Sequence, residues 1–140
     1  MKHLIFTFAL FTLFSCSSDS SSDSDSKTKK EEAVLDQTSP VSVVQHLFVA
    51  ARTDDYSQLS DLCRPDGKGD GDTKRICKVA NGDKKLQQEF SMYFKNGRVS
   101  GEAIVNGDEA AVPIKFGLNG NKDETMNLAL IDGKWFLSSF

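Results

Sequence analysis

Basic residues are not in excess here: 17 Lys and Arg stand against 20 Asp and Glu in 140 residues, giving a formal net charge of -3. A nucleic-acid-binding domain normally carries a clustered surplus of Lys and Arg, so the composition argues for no nucleic-acid partner. Paired C-x-x-C spacing is also missing, because Cys16, Cys63 and Cys77 lie far apart, and a structural zinc site of that kind is excluded. Histidine is scarce, at 2 residues, which leaves little material for acid-base chemistry near neutral pH. The most apolar stretch, residues 4–14, is about half the length of roughly 20 residues that a membrane-spanning helix needs.

What that stretch does resemble is a leader. Lys2 and His3 precede it, and a small residue, Ser15, followed by Cys16 stands where a signal peptide is cut. Leu13, Ser15 and Cys16 resemble the lipobox of bacterial lipoproteins, with Phe14 bulkier than the residue usual between them. The resemblance implies cleavage before Cys16, acylation of its sulfur and anchoring of the new amino terminus in a bilayer. Each buried methylene of an acyl chain contributes about 0.8 kcal/mol, so a multiply acylated terminus holds firmly. A secretory signal cleaved elsewhere is the alternative.

Residues 1–15 are therefore expected to be a lipoprotein signal peptide, residues 16–37 a lipidated cysteine with a Ser/Asp-rich tether, and residues 38–140 the folded domain. The tether carries most of the charge imbalance: residues 17–37 hold 6 acids against 3 lysines, and residues 38–140 hold 14 against 13. Such a polar tract cannot bury a core and is expected to be disordered. Asp19, Asp23 and Asp25 resemble the acidic tract that sends some lipoproteins to the outer face of the outer membrane. A plain spacer fits equally well. Ser17 after Cys16 resembles the pattern of outer-membrane sorting, so the expected location is the bacterial cell envelope, at the outer membrane, facing either the periplasm or the surface.

With Cys16 consumed by lipid, Cys63 and Cys77 are left as an expected disulfide pair, which an exported protein can keep oxidised. Closing a loop of about 15 residues would stabilise the fold by roughly 3 kcal/mol. Two separate buried thiols are the alternative.

Folded structure is expected to open at Thr38-Ser39-Pro40, a hydroxyl cap followed by proline at the first helical position. Val41, Val44, Phe48 and Ala51, with Leu47 beside them, share one face of a helix of about three turns. Asp54-Asp55 is expected to cap a second, shorter helix with Tyr56, Leu59, Leu62 and Cys63 inward and Gln58 as its capping-box partner. His46 and Tyr56 could each serve in acid-base work, but neither has a visible partner in the sequence. Between Arg64 and Thr73, Asp66, Asp70 and Asp72 with Gly71 resemble part of a calcium loop. Lys68 at a ligand position and Cys77 in place of the bidentate glutamate spoil the match, and a surface loop closed by the disulfide fits better. No metal and no cofactor are expected.

Two further helical pieces are expected across residues 73–94, separated by Asn81-Gly82-Asp83. Ile76, Cys77 and Val79 face inward in the first, and Leu86, Phe90, Tyr93 and Phe94 in the second. Lys74, Arg75, Lys78, Lys84 and Lys85 form the chain's basic cluster, which reads as a solvated helical face, with a site for a phosphate or anionic headgroup as the alternative. Beyond Asn96-Gly97 the pattern alternates. Four strands, over residues 98–105, 109–118, 123–131 and 134–140, are expected to join at Asn106-Gly107, Asn119-Gly120 and Asp132-Gly133, each a hairpin signal. Ala110, Val112, Ile114 and Phe116 share a face, as do Met126, Leu128 and Leu130. Pro113 cannot donate to a ladder, so a bulge or a locally broken pairing is expected beside it.

The expected fold class is α+β, with N-terminal helices packed on a curved four-stranded antiparallel meander. Residues 39–59, 105–116 and 130–137 carry a capped first helix, an aspartate-aromatic pair and an Asp-Gly-Lys-Trp hairpin. In these the chain resembles small bacterial lipoproteins of the nuclear-transport-factor-two-like, or cystatin-like, superfamily. The resemblance implies a cone of sheet and helices able to hold a small hydrophobic molecule. Some members of that superfamily are isomerases or dehydratases that use a buried acid with a tyrosine or histidine; the candidates for such roles here would be His46, Tyr56 and Glu102. Fold alone does not carry that chemistry. Without a catalytic set, the expected function is noncatalytic: a domain, membrane-bound through its lipid, that binds a protein or a small hydrophobic ligand. A homodimer is compatible with such a sheet and not demanded by the sequence.

Overall fold

The computed structural model describes residues 35–140; the leader, Cys16 and most of the tether lie outside the described residues. Three helices pack on an antiparallel sheet, so the domain is α+β. The first helix, α1 (Pro40–Thr53), begins where Ser39 Oγ accepts from the amide of Ser42 and Pro40 takes the first turn, where no partner for an amide is needed. It runs nearly four turns, one longer than the sequence suggests, and ends at Asp54 in the left-handed region. Val43, Val44, Leu47, Phe48, Ala50 and Ala51 are all buried, so the apolar surface is wider than a single stripe; Val41 is only half-buried.

The expected second helix is no more than one 3-10 turn, Leu59–Leu62, and Gln58 makes no side-chain cap. Asp55 instead accepts from the amide and hydroxyl of Ser57, a local side-chain turn that competes with helix over just these residues. Leu59 and Leu62 still point inward. The second helix, α2 (Gly71–Cys77), starts two residues earlier than expected because Asp70 caps it, accepting from Thr73 N at 2.8 Å. After a 3-10 turn at Val79–Asn81, Asp83 caps α3 (Lys84–Phe94), accepting from Leu86 N. The disulfide joins Cys63 to Cys77, with Cα atoms 5.9 Å apart, and ties the first 3-10 turn to the end of α2.

The sheet contains β1 (Arg98–Val99), β2 (Ile104–Asn106), β3 (Glu109–Phe116), β4 (Lys122–Ile131) and β5 (Lys134–Ser139). Where one first strand was expected there are two, both antiparallel to β3, so the sheet has five strands rather than four. The gap falls opposite Pro113. Ser100 N donates to Pro113 O at 2.9 Å, but proline has no amide to return the bond, and pairing resumes only at Ile104↔Ala111. At the β4–β5 hairpin Ile131 pairs with Lys134 across Asp132-Gly133, both at positive φ (50° and 76°), the turn whose twist suits a two-residue hairpin.

Strict alternation then fixes which face meets the helices. Ala110, Val112, Ile114 and Phe116 on β3, Met126 and Leu128 on β4, and Trp135 and Leu137 on β5 are buried in one core with α1. Gly97 lets the chain turn from α3 into β1 because a Cβ there would collide with the Phe48 ring. The free edge of β5 is covered: Trp135 N donates to Gln37 O, Asp70 N donates to Ser138 O, and Cys63 bridges Leu137.

Candidate functional site: an aromatic cleft

Where α3 passes over the ends of β3 and β4, the core changes from aliphatic to aromatic. Phe90 and Phe94 sit one helical turn apart on α3 and stack at 5.0 Å between centroids; Phe94 stacks in turn on Phe116 at 5.4 Å. Phe140 meets Phe94 at 5.5 Å and stands edge-on to Phe116 at 5.1 Å. Behind this row Tyr56 meets Phe90 edge to face at 5.8 Å. Above it opens a cleft of about 510 Å³ between α2, α3 and the sheet.

Three backbone-directed bonds hold the wall of the cleft. Gly117 N donates to Tyr93 O, Asn96 Nδ2 donates to Leu118 O, and an Arg98 guanidinium N–H donates to Gly120 O, so the end of α3 is fastened to the β3–β4 turn. The position of Phe140 depends on the Cys63–Cys77 segment. Its amide donates to Asp70 Oδ2 at 2.9 Å, while Asp70 N reaches Ser138 O. Burial opposes ionisation of Asp70, but the amides of Phe140 and Thr73 outweigh it and keep its carboxyl below the ordinary range.

The mouth is partly apolar and partly charged. Met92 and Tyr93 line it and are 42% and 44% exposed; Tyr93, expected inside, points outward along the cleft wall because Phe90 and Phe94 already fill the inner face of α3. Arg75 of the basic cluster pairs with Glu89 at the rim, while Lys74, Lys78, Lys84 and Lys85 are solvent-exposed. Lys122 lies with its ammonium 4.8 Å from the centre of the Phe116 ring, and Glu124 and Asp72 complete the charged lining. Lys122 and Glu124 are lining positions that the sequence reading missed. The signal was there: they continue the inward alternation of Met126 and Leu128 toward the start of β4.

The candidate catalytic residues are placed elsewhere. None of His46, Tyr56 and Glu102 lines the cleft. His46 is buried on α1 with Nδ1 unpartnered among the described residues; burial holds its pKa below 6.5, with Asp55 pulling the other way. Tyr56 donates to Asp54 Oδ1 at 2.6 Å, and burial first, then that carboxylate, push its hydroxyl up to about 12. Glu102 is exposed in the gap between β1 and β2. The acidic loop residues have structural duties as well. Asp66 accepts from Arg64 and from Lys68 N, and the Arg64 hydrogen bond is the main cause that lowers it to about 2. Asp70 is cap and clasp, and Asp72 stands in the first turn of α2. Among the described residues no three His, Cys, Asp or Glu side chains gather as a metal site.

No protein-family model matches the chain, and no curated protein sequence or solved structure matches it either.

Proposed function

We propose that this chain is a lipid-anchored protein of the bacterial cell envelope, held at the outer membrane through Cys16, whose domain binds a small, largely apolar ligand without transforming it. The single observation that carries the binding part is the cleft. Its volume of about 510 Å³ lies within the roughly 300–1,000 Å³ of small-molecule sites, and its floor of phenylalanines with a few polar groups at the rim is the usual composition of such sites. A tether between anchor and domain would leave the mouth free to meet ligands beside the membrane. No described helix is long and apolar enough to cross a membrane, so the anchoring reading rests on Cys16 and the leader sequence. The wider likeness to nuclear-transport-factor-two-like cones is consistent with helices packed on an antiparallel sheet, and is offered as part of the same proposal.

The rival, an isomerase or dehydratase, would require convergent ionisable groups in a closed site. His46, Tyr56 and Glu102 are not brought together at the cleft, which favours binding over turnover.

Ligand-observed NMR on the full chain with benzyl alcohol, a neutral apolar probe, tests the reading. Magnetisation transfer to the probe is expected, and Tyr93→Arg, which crowds the mouth, should abolish it while leaving the melting temperature nearly unchanged. Equal transfer in both proteins would place the probe elsewhere and remove the proposal. For the anchor, labelled palmitate should enter the wild-type chain and not Cys16→Ser.

A further inference from the structure

We propose that the cleft selects an organic cation, an ammonium group carried on an apolar body, and that Lys122 is the side chain which that ammonium displaces from the face of Phe116. The inference rests on the reading that the cleft is a binding site, and adds the chemical class of its ligand.

Three observations converge. The first is the position of Lys122 itself. A ring presents negative charge on its face, and an ammonium within about 6 Å of the centroid is attracted to it. The Lys122 ammonium lies 4.8 Å from the centre of Phe116, on a ring that belongs to the stacked floor of the cleft. The site therefore already shows that it accommodates an ammonium, using the protein's own.

Second, the balance of charge in the lining favours a cation. Asp72, Glu89 and Glu124 face Arg75 and Lys122. Glu89 and Arg75 satisfy one another in an ion pair. Asp72 and Glu124 take part in no ion pair among the described residues; the neighbouring Lys115 is engaged by Asp123 at 2.6 Å. A ligand ammonium that replaced Lys122 over the ring would keep both carboxylates in view while Lys122, on a flexible stem at an exposed position, moved into solvent. An anionic ligand would meet the same two carboxylates and find both basic groups of the lining already engaged, one by Glu89 and one by the ring.

Third, the cleft is larger than an ammonium alone needs. The remaining space is walled by Met92 and Tyr93, both partly exposed, which suit an apolar body whose rings or chains lie along α3. Methionine adapts its shape and tyrosine offers a second ring, so the wall tolerates variation in that body better than the ammonium position does.

The experiment is a titration of the full chain, with phenylalanine rings labelled for NMR, against three benzyl or phenyl probes differing in charge: benzyltrimethylammonium, benzyl alcohol and benzenesulfonate. The cation is expected to bind tightest and to shift Phe116 most. Lys122→Gln should tighten the cation by roughly threefold to tenfold, because its competitor for the ring is gone. Glu124→Gln should weaken it, and both variants should melt within a few degrees of the wild type. Weaker or unchanged cation binding in Lys122→Gln, or benzenesulfonate binding as tightly as the cation, would overturn the proposal. If benzyl alcohol shifts Phe94, Phe116 and Phe140 and the cation has no advantage, the ligand class is wrong while the binding site stands. If none of the three probes moves those rings, both fall.

Discussion

Two helices share one hydrophobic core and use it differently. α1 buries Val43, Val44, His46, Leu47, Phe48, Ala50 and Ala51, whereas α3 buries only Phe90 and Phe94 and leaves Met92 and Tyr93 at the surface. α1 is packed against the sheet, against α3 and against the first 3-10 turn. α3 is fastened at its end to the β3–β4 turn and has a cleft along its flank. Under the proposed binding function, the difference separates two duties within one small domain: the α1 side supplies stability, and the α3 side gives up packing density to recognition. Substitutions should divide the same way.

The largest expected effect lies on the α1 side. Phe48→Ala would leave a cavity beside Phe94 and Gly97 and cost about 3–5 kcal/mol, read by urea unfolding, with any effect on the cleft passing through Phe94. A loss under 1 kcal/mol would show that the α1 side is not the stable half. Next comes the Cys63→Ser/Cys77→Ser pair. Removing the bridge should cost about 3 kcal/mol for a loop of this length. It should also loosen Asp70 and hence Phe140, so ring signals of Phe140 should broaden before those of Phe48. Uniform broadening would contradict the proposed link from disulfide to cleft.

A smaller effect concerns pH. His46 has a folded pKa below its ordinary 6.5, so the unfolded chain binds the proton more readily. Its contribution to stability is complete above about pH 6.5 and is lost as pH falls through the lower folded value. His46→Leu should flatten that part of the stability–pH curve, and a slope unchanged by the substitution would assign it to another group. The smallest effect on stability belongs to the cleft: Tyr93→Ser should change unfolding free energy by no more than about 0.5 kcal/mol, since the side chain is half in solvent already, and yet weaken probe binding. Loss of both together would erase the division between the two helices.

Local chemistry made much of this architecture readable. Ser39-Pro40 and Asp83 start helices because hydroxyl and carboxylate oxygens satisfy free amides, and Asp132-Gly133 turns a hairpin because both residues tolerate positive φ. Pro113 announced the broken pairing that splits β1 from β2, since a missing amide proton cannot be compensated in a ladder. The pairing of Cys63 with Cys77 followed from counting. Other features depend on contacts distant in sequence. Asp70 was read as one of three loop carboxylates, yet its role is set by Phe140, 70 residues away. Tyr93 continued an apolar period that tertiary packing had no room to honour. The cleft itself assembles from α2, α3, β3, β4 and Phe140, and no window of sequence contains it. Lys122 and Glu124 could have been placed on its face by alternation alone, but a charged pair before an apolar run reads first as the solvated start of a strand.

The most direct test compares the rings of the two helices in one spectrum. With benzyl alcohol added to the phenylalanine-labelled full chain, the account predicts saturable shifts at Phe94, Phe116 and Phe140 and a smaller one at Phe48, whose ring meets the floor at Phe94, 6.3 Å between centroids. Shifts at Phe48 as large as those at Phe116, or none at any ring, would contradict it.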